Sequence, residues 1–264
     1  MFKPFRELLI LIVVMDRHIY RHRLIDSTND EAKRLIEKGE PHGTLIIADE
    51  QTAGRGRSGR TWVTPPMSAI AMSLILRPTA PDHLHLTQIS LLGGLAVLEG
   101  IQRAIKLTPQ LKWPNDVLIN GSKVAGVLAE SLFVGDRLEA VIVGMGVNVN
   151  AAPPPDLKLE YPATCLADVL GHQVEREDVI TAIIESFDGR YSQLGTPSLT
   201  EAWSAHLAMK GQGVQVVGIT ETISGTLEGV TGEGALLIRL ATGGIKTILA
   251  GDVHLRPSED LRVL

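Results

Sequence analysis

Asn120-Gly121 stands between the apolar run Val117-Leu118-Ile119 and the stretch from Ser122 to Glu130, and this spacing constrains the fold more than any other short feature. Asn-Gly between apolar runs is a hairpin signal, so the two segments should pair antiparallel. With a two-residue loop, counting puts Leu118 opposite Lys123 and Asp116 opposite Ala125, with Asp116 and Lys123 on one face. Ala125 and Gly126 are small and leave open space beside that pair, as a ligand floor requires. Pro114 restricts Trp113 to an extended conformation, which stiffens the segment Lys112 to Asp116. The plain alternative is an exposed hairpin whose Asp and Lys form a cross-strand pair worth roughly 0.2–1 kcal/mol.

Around this hairpin the chain reads as a mixed α/β core followed by a β-module, an α+β arrangement. Thr28 is expected to cap a helix, with Glu31 completing a capping box, and capping alone accounts locally for Ser27-Thr28-Asn29. Thr44 to Ala48, Ala69 to Leu76 and Leu138 to Val149 read as strands. Asp82 to Ile105, Val179 to Leu194 and Leu199 to Leu207 read as helices, the first weakened locally by Gly93-Gly94. Pro153-Pro154-Pro155 marks a loop. From Gly211 the texture changes to short strands separated by glycine turns: Val214 to Val217, Thr222 to Leu227, Ala235 to Leu240 and Ile245 to Leu249, a small β-barrel. The expected organisation is an extension over 1–15, a core over 16–209 and the β-module over 210–264. The apolar run Leu8 to Val14 is too short to span a bilayer and no small-residue cleavage site follows it, so it reads as a buried strand or as an upstream extension of a chain that starts at Met15. No membrane association is expected. A single cysteine, Cys165, excludes an internal disulfide and a Cys-rich metal site and suits a reducing cytoplasm.

The chemistry concentrates in Gly54-Arg55-Gly56-Arg57-Ser58-Gly59-Arg60, where arginines alternate with glycines. Glycine permits positive φ, so backbone N–H groups can converge on an anion while guanidinium groups reach in from between them. The spacing Gly54-x-Gly56-x-x-Gly59 imitates a dinucleotide fingerprint, but Trp62-Val63-Thr64-Pro65-Pro66 is a poor helix start and no acidic residue follows at the required distance. No Gly-Lys-Ser/Thr follows either, which excludes a Walker loop. With a net charge of −5, the arginine cluster is a local positive spot suited to small anions rather than DNA. A solvated Arg/Gly segment, or a non-catalytic nucleic-acid-binding module, is the bland reading. Oxygen atoms of Asn115 and Asp116 would suit Mg²⁺, which takes few protein oxygens beside substrate phosphate.

Taken together, Gly54 to Trp62, Lys112-Trp113-Pro114-Asn115-Asp116 and Lys123-Val124-Ala125-Gly126-Val127-Leu128-Ala129-Glu130 resemble the motifs of biotin protein ligases. The resemblance extends from Ser27-Thr28-Asn29 through Gly144-Met145-Gly146-Val147-Asn148 to Gly251-Asp252-Val253. It implies a core like that of class II aminoacyl-tRNA synthetases with an SH3-like C-terminal domain. It also implies use of ATP and Mg²⁺ to make biotinyl-5′-AMP, and transfer of biotin to a lysine of a biotin carboxyl carrier protein. By matching motif positions, Ser27, Thr28, Asn29, Gln51 and Gly126 would line the biotin site, with Arg55, Gly56, Arg57 and Lys123 around the carboxylate and phosphate. Arg57, Arg60, Trp62, Lys112, Asn115 and Asn148 would serve ATP, and Asp116 with Asn115 the metal. Lys123 would be the main electrostatic stabiliser, and Arg57 with Arg55 the closing clamp. Lipoate ligases share the core and the adenylation step and are the nearest rival. Only 26 residues precede Ser27, too few for the helix-turn-helix domain of members that repress transcription, so DNA binding is not expected. Met67 stands where many members have glycine. No heptad or apolar patch announces an interface, and a homodimer is left open.

Overall fold

The computed structural model describes residues 17–63, 65–79, 85–154, 157, 159, 161–218, 221–249 and the backbone of 254–257. The expectations for Leu8 to Val14, for Asp82 to Leu84, for Pro155 and for Gly251 to Val253 lie outside the described residues. The larger part is built on seven strands: β1 (Ile19–His22), β2 (Leu45–Ala48), β3 (Ala69–Leu76), β4 (Gln110–Lys112), β5 (Asp116–Ile119), β6 (Ser122–Val134) and β7 (Arg137–Asn148). Helix α1 (Thr28–Glu37) lies between β1 and β2, and α2 (Leu86–Ile105) between β3 and β4; α3 (Leu166–Leu170), α4 (Arg176–Tyr191) and α5 (Pro197–Ala205) follow β7. The sheet order is β1-β2-β3-β7-β6-β5-β4. β1 pairs parallel with β2, and the remaining pairs are antiparallel.

Alternation along β3 explains why every residue of this strand is buried. Ile70, Met72, Leu74 and Leu76 enter the main core with α2 and α4. On the other face, Ile75 joins Ile46, Ala140 and Ile142 beneath Ala32, Leu35 and Ile36 of α1. The Gly93-Gly94 pair does not break α2, and close packing accounts for Gly93. A Cβ at Gly93 would lie 2.8 Å from Val127 Cγ1, and one at Gly100 would lie 2.7 Å from the Ile183 backbone of α4. These glycines let the helix touch both the sheet and its neighbour.

Two local expectations are corrected. Ser27, not Thr28, is the N-cap of α1, and no side-chain cap bond forms. Glu31 instead accepts from Arg34 Nε at 2.6 Å, and Thr28 is freed for other contacts. The hairpin forms at Asn120-Gly121, both residues with positive φ, and Leu118 faces Lys123. A bulge between Val117 and Leu118 then shifts the register, so that Asp116 faces Gly126 rather than Ala125. β1, β4 and α3 carry too few residues to show a periodicity.

Met67 adopts φ 57°, in the left-handed region that favours glycine. The turn is held by Met67 N donating to the Asp49 carbonyl and by Arg176, which bonds Asp49 Oδ1 at 2.7 Å and the Ala69 carbonyl at 3.0 Å. Met67 is 61% exposed, and its Sδ makes only a 3.8 Å contact with Arg176 Nη2, so little packing depends on it. Met67→Gly is therefore expected to stabilise the protein by about 0.5–1 kcal/mol in chemical denaturation. A lower midpoint would contradict the assigned strain.

The C-terminal strands β8 (Gly213–Val217), β9 (Thr222–Val230), β10 (Leu236–Arg239), β11 (Ile245–Ile248) and β12 (His254–Pro257) form a five-stranded antiparallel sheet in the order β11-β10-β9-β8-β12. β12 ends on proline and shows no apolar alternation, so the sequence does not announce it. The turn between β9 and β10 rests on the larger unit. Trp113 Nε1 donates to the Gly234 carbonyl at 3.0 Å, Gln88 Nε2 to that of Gly232 at 2.5 Å, and Thr87 Oγ1 to that of Glu233 at 2.8 Å. Among the described residues no helix is long and apolar enough to cross a membrane.

Candidate active site

On the sheet face that carries α1, the part the helix leaves uncovered is nearly bare. Directly paired residues share a face, so register defines two adjacent rows across the strands. One row runs Ser73, Gly144, Leu128; the next runs Ala48, Ala71, Gly146, Gly126, Asp116. Two residues along a strand separate the rows, about 7 Å. A Cβ on Gly144 would overlap Asn29 Oδ1, and one on Gly146 would overlap the Trp62 indole. One on Gly126 would come within 3.2 Å of Lys123 Nζ. Backbone thus forms the floor of a cavity of about 560 Å³.

Above the first row stands a polar network. The Thr28 backbone N–H and hydroxyl both donate to Gln51 Oε1, at 2.8 and 3.1 Å. Ser73 Oγ lies 2.7 Å from Thr28 Oγ1 and donates to Asn29 Oδ1 at 2.6 Å. Ser27, Thr28 and Asn29 are buried and line the cavity with Gln51, so capping alone does not account for them. Each hydrogen bond fixes a donor or acceptor direction, which suits recognition of an uncharged polar group.

Above the second row stands a charged cluster. Asp116 bonds Lys123 Nζ at 2.5 Å and lies 3.5 Å from Lys112 Nζ. Burial disfavours the Asp116 charge, but Lys123 and Lys112 outweigh it and hold the carboxyl below its ordinary range. Burial pushes the Lys112 ammonium down, and Asp116 offsets this only in part. Lys112 lies 4.7 Å from the Tyr161 ring centre, and Lys123 lies 5.7 Å from that of Trp62. Two ammonium groups against one carboxylate leave a net positive charge in a half-enclosed space, which attracts phosphate or carboxylate.

Two buried polar atoms at the cavity have no partner among the described residues: Trp62 Nε1 and Asn148 Oδ1. Asn148 Nδ2 donates to the Thr164 carbonyl at 3.0 Å, which fixes the amide so that its oxygen is left over. One donor and one acceptor are therefore available to a ligand. Asn115 is used differently: its Nδ2 donates to the Val127 carbonyl at 2.8 Å, and its own carbonyl accepts from Val127 N–H at 2.9 Å. It braces the strand before Asp116. Groups of three or more His, Cys, Asp or Glu able to hold a metal are absent among the described residues.

The arginine-glycine loop closes on itself. Gly56 N–H donates to Arg60, Arg60 N–H to Arg57 and Trp62 N–H to Gly54, so these three donors do not converge on an anion as expected. Arg55, Gly56, Arg57 and Arg60 all border the cavity, but the Arg55 guanidinium is engaged by protein carboxylates. It bonds Asp30 Oδ1 at 2.7 Å and Glu130 at 2.9 and 3.1 Å.

The structure brings every residue nominated in the sequence to this one cavity, the loop arginines with Lys123 included. Sequence reasoning missed Ser73, Tyr161 and Glu130. Ser73 sits inside an apolar strand, where a lone hydroxyl is a weak signal, and Tyr161 follows an irregular segment. Glu130 ends a motif already in view, but nothing local says which cation it meets.

A family profile described as "Biotin/lipoate A/B protein ligase family" matches residues 22–148, and one described as "Biotin protein ligase C terminal domain" matches 211–256. The chain is 38% identical over 247 residues to a bifunctional ligase/repressor BirA of Bacillus subtilis, covering 92% of this chain and 75% of that protein. It is 37% identical to a biotin--[acetyl-CoA-carboxylase] ligase of Paracoccus denitrificans, covering 86% of this chain and 96% of that one. Among solved structures, biotin protein ligase from Aquifex aeolicus in complex with biotin and ATP superposes with a TM-score of 0.79 at 32% identity, covering 91% and 99% of the two chains.

Proposed function

The chain belongs to the biotin protein ligases of the biotin/lipoate A/B protein ligase family, and from that premise we propose that it joins biotin to AMP from ATP and passes the biotinyl group to a lysine of a biotin carboxyl carrier protein. One observation carries the reading: a directional hydrogen-bonding network and a cationic cluster stand on one bare floor, two residues apart along β7. An acid recognised by the first would have its carboxylate delivered beside the second.

Adenylation brings a carboxylate against the α-phosphate, and the two anions repel as charge builds on the phosphoryl oxygens. Lys123 lowers that barrier from a fixed strand position, held by Asp116 and flanked by the Trp62 ring. The carboxylate oxygen forms the new bond to phosphorus as pyrophosphate departs with the electron pair. The acceptor lysine then attacks the mixed anhydride at the acyl carbon, and AMP leaves. Trp62 Nε1 and Asn148 Oδ1 offer the nucleotide one donor and one acceptor. ATP brings Mg²⁺ into such reactions, where the ion neutralises phosphate charge. Asp116 already faces two ammonium groups, and Asn115, with its Nδ2 donated to Val127, has only its side-chain oxygen to offer. The protein thus supplies few oxygens, and a bound Mg²⁺ would draw its ligands mainly from phosphate and water.

The mixed sheet with its antiparallel majority supports a class II synthetase-like core, and the five-stranded antiparallel sheet supports an SH3-like C-terminal unit. A single, buried cysteine supports a cytoplasmic protein, and the net charge of −5 favours small anions over DNA.

Incubation with α-labelled ATP and biotin should yield labelled adenylate and pyrophosphate, whereas lipoate in place of biotin should not. Adenylate formed with lipoate and not with biotin would overturn the reading. Arg57 borders the cavity from the loop, where it would shield the anhydride from water. Arg57→Gly is expected to release biotinyl-AMP into solution about tenfold faster, as chromatography of a filtered reaction would show.

A further inference from the structure

The Arg55 guanidinium is a poor clamp for a substrate, because the protein has already claimed it. Glu130 accepts from Arg55 Nη1 at 3.1 Å through Oε1 and from Nη2 at 2.9 Å through Oε2. The same carboxylate accepts from Asn29 Nδ2 at 2.7 Å and from Lys33 Nζ at 3.2 Å. Four donors from two elements thus meet on one side chain. Asp30 adds a second carboxylate at 2.7 Å from Arg55 Nη2. The two carboxylates balance Arg55 and Lys33, so the group is neutral as a whole. A parallel two-point contact between guanidinium and carboxylate fixes orientation as well as distance.

Position gives this contact its meaning. Arg55 starts the arginine-glycine loop, pairing with Thr61 at its other end. Asn29 belongs to the network of Thr28, Ser73 and Gln51 on the floor of the cavity. Glu130 lies on β6, seven residues after Lys123 on the same strand. One carboxylate therefore ties the base of the loop, the wall formed by α1 and the strand of the main cation into a single rigid unit. Glu130 does not itself line the cavity.

We propose that Glu130 is a positioning residue for the ligation reaction: it docks Arg55, anchors the arginine-glycine loop to α1 and β6, and so couples occupation of the site beside Asn29 to closure of the loop over the adenylate. Arg55 is then the tether of the loop, and the charge facing the phosphate comes from Lys123 and from the arginines farther along the loop. The inference rests on the ligase reading above.

The test uses the full chain and compares Glu130→Gln, Arg55→Gln and the double variant. Glu130→Gln keeps size and removes charge. It is expected to raise the biotin concentration for half-maximal pyrophosphate release, and the rate at which biotinyl-AMP escapes into solution, each roughly tenfold, with a smaller change in maximal velocity. Arg55→Gln should increase escape similarly. In the double variant escape should rise no further, because the two groups act through one contact. Raising salt should increase escape from the parent protein and not from either variant. Escape that multiplies in the double variant would overturn the proposal. So would a Glu130→Gln protein with a lower melting temperature and unchanged escape and half-saturation, the pattern of a merely structural contact. If a variant fails to fold, the parent's salt dependence and Glu130→Asp decide the matter: Glu130→Asp should give an intermediate escape rate. A parent protein that forms no adenylate would instead defeat the ligase reading itself.

Discussion

Lys123→Ala is expected to slow biotin-dependent pyrophosphate release about a thousandfold, the scale seen when a fixed electrostatic stabiliser is removed from a site that excludes water. The side chain stands on β6 beside the bare floor, with its ammonium against Asp116 and near the Trp62 ring. Lys112, which also borders the cavity, does not replace it, because it is buried against the other oxygen of the same carboxylate and over the Tyr161 ring. A rival explanation for such a loss is that the substitution leaves a buried carboxylate with only the more distant Lys112, which is costly in itself. The double variant Lys123→Ala with Asp116→Asn separates the two. If the missing cation is responsible, release stays slow; if an orphaned Asp116 is responsible, release recovers. Release by the single variant within tenfold of the parent, measured with a coupled phosphate assay, would exclude Lys123 as the main stabiliser.

The second large effect comes from a single methyl group. Gly146→Ala would push a Cβ into the Trp62 indole, which must then shift or turn. Overpacking of this kind typically costs about 1–3 kcal/mol, and here the displaced side chain carries the unpartnered Nε1 and flanks Lys123. The ATP concentration for half-saturation should rise roughly ten- to a hundredfold, with a smaller change for biotin. Gly144→Ala supplies the reciprocal case, since its Cβ would meet Asn29 Oδ1 in the other row. It should weaken biotin more than ATP. Equal effects of both variants on both substrates would mean that the rows do not divide the two ligands.

Much of this site was legible because its residues travel in short unbroken strings. Lys112 to Asp116 and Lys123 to Glu130 are joined by the Asn120-Gly121 turn, so the hairpin that brings Asp116 to Lys123 is written locally. The bulge after Val117 was not legible: one extra residue changes the partner of Asp116 without changing any apolar pattern. The partner of Arg55 was hidden for a different reason. Charge pairs across 75 residues leave no periodic trace, and arginine beside glycine looks the same whether it waits for phosphate or is held by Glu130. Capping chemistry misled in the opposite direction. Ser27-Thr28-Asn29 satisfies the composition of a helix start, yet Thr28 and Asn29 spend their polar atoms on Gln51, Ser73 and Glu130. In the longer elements pattern succeeded, because β3 and β7 are long apolar runs and α2 is long enough to show a helical stripe.

A floor made of main chain restricts how the protein can change by descent. At Gly126, Gly144 and Gly146 every amino-acid replacement adds atoms, so the chamber can shrink by substitution there and never deepen. A lineage that came to favour a longer or bulkier acid would have to recruit it through the walls, by exchanging side chains such as that of Gln51. The floor is the fixed stage of the molecule, and novelty is confined to its sides.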